Sequence, residues 1–202
     1  AKTDRHDART LSHYGVVQNP HQWKPPPPEV EELEHLLDRL NDQKDTLSRE
    51  KNRLHAYQNR PNAHKMAIRD IEESITFLER QIVQIQKAIK EHLEAHPHLK
   101  EGRKILLTVS GVGEKNVLHM LAMLHRWYAL TNGEGDASSL VAYVGLDPKP
   151  HESGTSVHKR AGISRQGNRP FRSRLFMSAL GGIRGKNSPL TDFYQRLVGR
   201  GK

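Results

Sequence analysis

Two stretches of this chain repeat apolar residues every seven positions. Leu33, Leu40, Leu47 and Leu54 mark the first, with Val30 and Leu37 filling alternate seam positions. Ile68, Ile75, Ile82 and Ile89 mark the second, with Ile71, Leu78 and Ile85 on its other seam row. Between them Asn59, Arg60, Pro61 and Asn62 supply turn chemistry. Heptads on both sides of a short turn predict an antiparallel coiled-coil hairpin. Lys44 and Lys51 fall on the seam of the first arm and weaken it, whereas the second arm stays aliphatic until His92. A narrow seam on a helix more than about 30 Å long buries little by itself, so self-association or docking on other chains is expected.

The flanks read differently. Residues 1–28 are short and polar, and the run Pro25 to Pro28 forces a polyproline II spacer. Pro97 ends the second arm, and an apolar stretch begins at Lys104. Gly133 to Asp136 reads as a loop, Ser139 to Val144 as a short apolar element, and Gly145 to Gly167 as largely irregular. Asn168 to Ile183 has helical character, with Pro170 in its first turn and Gly181-Gly182 at its end. Pro189 to Val198 spaces Leu190, Phe193, Tyr194 and Leu197 along one face of a last short helix. The expected fold is mainly α, in segments 1–28, 29–96 and 97–202.

Charge sharpens this picture. From Asp147 onward there are twelve Lys or Arg against three Asp or Glu, an excess equal to the +9 of all 202 residues. Residues 29–95 hold eleven cations and fourteen anions, so the hairpin is not the expected phosphate-binding surface. A pI near 9.9 favours a polyanionic partner, nucleic acid before membrane. The apolar fraction of 35% and mean hydropathy of −0.77 suit extended helices better than one compact globule. No apolar run approaches the roughly 20 residues of a membrane span, and no secretory segment opens the chain. There is no cysteine, which fits a reducing compartment. The thirteen histidines are scattered without HExxH spacing. The chain starts at Ala1 inside a polar motif, as a piece of a longer protein would.

Four motifs carry candidate chemistry. Ser110-Gly111-Val112-Gly113 lies between two helical stretches, the pattern of a helix-hairpin-helix. Gly111 and Gly113 would let the amides of the next helix, beside Lys115, face a phosphate. The same GxG also serves as a plain structural turn. Asp4 and Asp7 lie three apart, sharing a helix face that can offer oxygen ligands to Mg²⁺, though such a pair is more commonly an acidic helix start. Ser153 precedes Gly154 in a loop with His151, Lys159, Arg160 and Arg165 nearby. A serine needs its proton taken or its developing charge stabilised before it attacks, and a Ser-Gly pair is more often a turn. Lys159, Arg160, Arg165, Arg169, Arg172 and Arg174 form a basic run interleaved with Gly162, Gly167 and Asn168, which suits a loop laid along a sugar–phosphate backbone.

In order and spacing these pieces resemble the insertion-sequence one-ten family of transposases, which includes the pilin-gene-inverting recombinases. Thr108 to Gly113, Leu140 to Pro148, Ser153-Gly154, Ile163 to Asn168 leading into Phe171-Arg172, and Phe193 to Lys202 all fit its transposase domain. Lys2 to Ala8 resembles the end of the family's RNase H-like (RuvC-like) DEDD domain, and residues 29–96 its middle coiled coil. The resemblance implies a DNA transposase or site-specific recombinase cleaving and exchanging strands with Mg²⁺. Ser153 would be the nucleophile joined to DNA, and Asp4 and Asp7 two of four metal-binding acids. It further implies a structured guide RNA, a dimer or tetramer assembled through the coiled coil, and a cytoplasmic, nucleoid-associated setting. The first Asp and the Glu of the tetrad have no counterpart here, so this chain by itself is expected to bind nucleic acid without a complete metal site. Phe171 also stands where an aliphatic residue is usual. A non-catalytic nucleic-acid-binding module or regulatory remnant, or a coiled-coil assembly protein, are the other readings.

Overall fold

The computed structural model describes residues 4–19, 22, 24–153, 157–185 and 188–201, with the side chains of 150–153 and 157–161 outside that description. Within it the chain is mainly helical. α1 (Asp4–Gln18) comes first and buries none of its residues. α2 (Pro28–Gln58) and α3 (Lys65–Ala95) are 31 residues each, about 46 Å at 1.5 Å per residue. Pro28 occupies the first turn of α2, where a missing N–H costs nothing, and Glu29 and Glu31 complement the dipole there. His64 caps α3 by accepting from the Met66 amide at 3.2 Å.

The two long helices pack side by side as the sequence predicts, through Leu33, Leu37 and Leu40 on one arm and Ile71, Ile75, Leu78, Ile89 and Leu93 on the other. The lysines do not sit in the seam. Lys44 is exposed and Gln43 is buried instead, and Lys51 reaches across to Glu79 at 2.7 Å. A long side chain escapes a seam by extending over its rim.

At His96 the backbone leaves the helical region, and Pro97 begins α4 (Pro97–Leu107). A six-residue turn leads to α5 (Glu114–Leu130), which packs on both α4 and α2. One apolar cluster therefore joins the open end of the hairpin, through Val30 and Leu33, to Leu99, Leu121 and Ala122. A second, of Met120, Met123, Val144 and Phe171, ties α5 to α6 (Ala137–Val144) and α7 (Arg169–Ile183). Phe171 is thus a core residue. α8 (Pro189–Gly199) closes the chain against α7, capped by Ser188.

One reading from the sequence changes here. Residues 145–167 are not largely irregular: β1 (Pro148–Ser153) and β2 (Val157–Ile163) form an antiparallel pair with Pro148 opposite Ile163 and Ser153 opposite Val157. Few of its residues are apolar, so no period-2 stripe announces it. Gly181-Gly182 lie in the last turn of α7, which ends at Ile183 as expected, and they receive the α4–α5 turn. Gly111 in that turn has φ +90°, and a Cβ there would run into the Ser178 carbonyl oxygen and the Gly182 nitrogen of α7.

Gly111→Ala is therefore expected to cost at least about 3 kcal/mol, through strain and lost packing. In a thermal melt that lowers Tm by about 6–12 °C. Gly113 has φ −109° and open space where a Cβ would go, so Gly113→Ala should shift Tm by less than about 4 °C.

Candidate nucleic-acid interface

The strand pair stands on a tightly bonded base. Gly145 ends α6 with φ +74°, and a Cβ there would meet the Gln166 carbonyl oxygen at 2.6 Å. The Ser164 amide donates to Asp147 O at 2.8 Å, and the Ser164 hydroxyl donates to Asp147 Oδ1 at 2.5 Å. The Arg165 amide donates to Gly145 O at 3.1 Å. Asn168 caps α7 by accepting from the Phe171 amide at 3.0 Å. The segment Gly145 to Asp147 is in this way stitched to Ser164 to Asn168. Asn168, a candidate nucleic-acid contact, spends its side chain on the cap.

From this base a groove opens beside α7. Arg165, Arg169 and Arg172 line it with Leu146, Ile163 and Phe176. Arg165 holds the left-handed backbone, φ 57°, a conformation uncommon for arginine, and is exposed. Arg172 is half-buried and donates from Nη1 to Val144 O at 2.7 Å, which fixes its orientation. None of the ion pairs among the described residues involves these three guanidiniums. The first turn of α7 has no acidic residue, so cations face the end of a helix whose own dipole is positive. That is locally unfavourable and suits an external anion.

Arg174 is not part of this groove. Ser173 separates it from Arg172, and it turns toward α2 in a cleft shared with His119, Asp38, Arg126 and Glu34. Arg126 and Glu34 form a forked pair there at 2.6 and 3.2 Å, linking α5 to the hairpin. Burial pushes the Arg174 pKa down, with Asp38 opposing. Burial first, then Arg174 and Lys44, lower the His119 pKa to about 4.

The remaining candidates are dispersed. Ser153 ends β1 at the tip of the strand pair, farthest from the bonded base. Its side chain and those of Lys159 and Arg160 lie outside the described residues, as does Gly154. Gly113 and Lys115 are exposed at the start of α5, but Glu114 holds that same helix end and pairs with Arg103 at 2.5 Å. Gly111 is engaged by α7. Asp4 and Asp7 are exposed one turn apart on α1. No cluster of three His, Asp or Glu suited to a metal occurs among the described residues. Sequence reading passed over a histidine group where the hairpin meets α4 and α5: His92, His96, His98 and His125, with successive ring centroids 4.4, 6.2 and 6.1 Å apart. The i, i+4 spacing of His92 and His96 was the available signal.

Known proteins share parts of this chain. Residues 103–195 match the model of the transposase family IS116/IS110/IS902. This part of the chain is similar to the transposase domain of that family. Over its whole length the chain is 32% identical to the pilin gene-inverting proteins of Moraxella lacunata and Moraxella bovis. It spans 59% of the length of those relatives. It is also 29% identical, over 68% of its length, to an uncharacterized 43.6 kDa protein of insertion element IS110 from Streptomyces coelicolor, covering 31% of that protein. The matched transposase segment runs from the end of α4 into α8, so it includes the groove and the strand pair. No helix among the described residues is long and apolar enough to cross a membrane.

A neutral His119 in the fold, against an ordinary imidazole in the unfolded chain, makes the unfolded state the stronger proton binder between pH 6.5 and about 4. Stability should fall as pH drops through that window, and His119→Gln should flatten the fall in Tm measured at successive pH values.

Proposed function

We propose that this chain is the strand-exchange half of a DNA recombinase that works through a serine nucleophile. The observation that supports this most directly is the position of Ser153: the tip of a strand pair, inside the segment matched to the transposase family, whose base opens on a groove of three arginines with no carboxylate partner among the described residues. The Ser153 hydroxyl oxygen attacks a backbone phosphorus, forming a serine–phosphate ester while one sugar oxygen departs. A transesterification conserves the phosphodiester count, so resealing needs no external energy source. The serine proton leaves to a base, and the arginines oppose the charge that grows on the phosphoryl oxygens.

Asp4 and Asp7 suit Mg²⁺ as two oxygen ligands beside a substrate phosphate, since Mg²⁺ is commonly held by one or two carboxylates. Bound there, the ion would draw charge from the scissile phosphate. α1 buries nothing against the rest of the fold, so the pair is free to meet Ser153 of another copy. The exposed Met66, Phe77 and Val83 on α3 offer apolar surface for that assembly. A structured guide RNA would supply sequence recognition, since phosphate-directed arginines read none. One feature favours a second reading, a nucleic-acid-binding module without catalysis: the two acids have no third partner among the described residues.

The two readings part on one substitution. In the complete recombinase, Ser153→Ala should reduce covalent protein–DNA adduct by at least about 10³-fold while DNA affinity stays within about threefold. Equal adduct yield with and without the hydroxyl would leave only the binding module.

A further inference from the structure

The groove beside α7 has a floor that phosphate alone does not explain. Phe176 is 66% exposed and Ile163 44%, and both line it beside the arginines. Along α7, Arg169, Arg172, Ser173 and Phe176 follow one another at helical spacing, so the ring lies one turn beyond the cations on the same face. A paired duplex shows phosphates to such a surface but keeps its base faces stacked. An unpaired nucleotide presents both, a charged linkage and a flat π-surface, and an exposed aromatic beside arginines matches that pairing.

We infer that the groove seats one unpaired nucleotide of bound DNA, its base stacked on Phe176 and its flanking phosphates on Arg169 and Arg172. The inference rests on the nucleic-acid reading above and names the form of substrate at that site. DNA is the occupant, because the groove wall at Ile163 is the end of β2, the strand that pairs with the Ser153 strand. A second copy of this face is a poor occupant, since two arginine rims would repel. Five strand steps separate Pro148, opposite Ile163 of the groove wall, from Ser153 at the tip. At about 3.3 Å per residue that is about 16 Å, on the order of five base-pair steps from the attacked phosphate. Stacking accepts any base, so the seat adds affinity without sequence preference.

The test is equilibrium binding of this chain to a fully paired duplex, to the same duplex with an internal unpaired tract, and to RNA of the tract sequence. The wild type should favour the interrupted duplex about tenfold. Phe176→Ala and Phe176→Leu should both erase that preference while paired-duplex affinity stays within about twofold, and Phe176→Trp should keep it. Circular dichroism confirms that each variant is folded. Retention of the preference by Leu would reduce Phe176 to an apolar contact, and equal losses on both duplexes would reduce the groove to general basic surface. Tighter binding of the RNA would give the seat to a different strand. Each of these overturns the inference. Equal wild-type binding to both duplexes sinks it while the recombinase reading stands, whereas no binding to any probe sinks both.

Discussion

The arrangement of the basic half of the chain depends on the close approach of the α4–α5 turn to the end of α7. Gly111 lies against Ser178 and Gly182 with no room for a side chain, and its left-handed backbone makes that approach accessible only to glycine at low cost. With that contact in place α5 and α7 share Met120, Met123 and Phe171, and the N-terminus of α7 is held beside α6. The stitched loops at Gly145 and Ser164 can then carry the strand pair at a fixed height above the groove. Gly111, half of a glycine pair that looks like a phosphate-binding turn, therefore serves first as a fulcrum.

Charge is partitioned along the same lines. The hairpin keeps its acids and bases in local or cross-arm pairs, such as Arg69 with Glu73 and Lys51 with Glu79. Exposed pairs of that kind contribute little stability but neutralise the surface. Arg165, Arg169 and Arg172 form no such pair among the described residues. Arg174, two residues beyond Arg172, is turned inward toward Asp38 and His119. α7 thus divides its arginines between an outer groove facing solvent and an inner cleft facing the hairpin. Compositional counting of a basic run merges the two.

The hairpin was legible because a heptad stripe is a direct image of one buried face: Leu33, Leu37, Ile75 and Leu78 repeat where they pack. The helix starts near Asn168 and Pro189 were legible as well, since their chemistry is local, whereas Pro28, read as the end of a polyproline spacer, opens α2. The strand pair was not, because its pairing is between backbone groups and its sequence alternates no apolar face. The assignment of Lys44 to the seam failed because register slipped by one residue to Gln43. Of the candidate site, the grouping of Arg165, Arg169 and Arg172 could be anticipated from spacing. Phe176 could not, since a lone aromatic on a helix reads as core until its exposure is known. The binding of Arg172 to Val144 O joins residues 28 apart and leaves no local trace.

The central claim is that nucleic acid lies along the strand pair and the outer face of α7. Amide hydrogen exchange of the chain with and without DNA addresses it most directly. Slowed exchange concentrated in residues 145–176, with residues 29–95 unchanged, is the result expected. Slowing confined to the hairpin arms, or absent from the segment between Gly145 and Phe176, would contradict it.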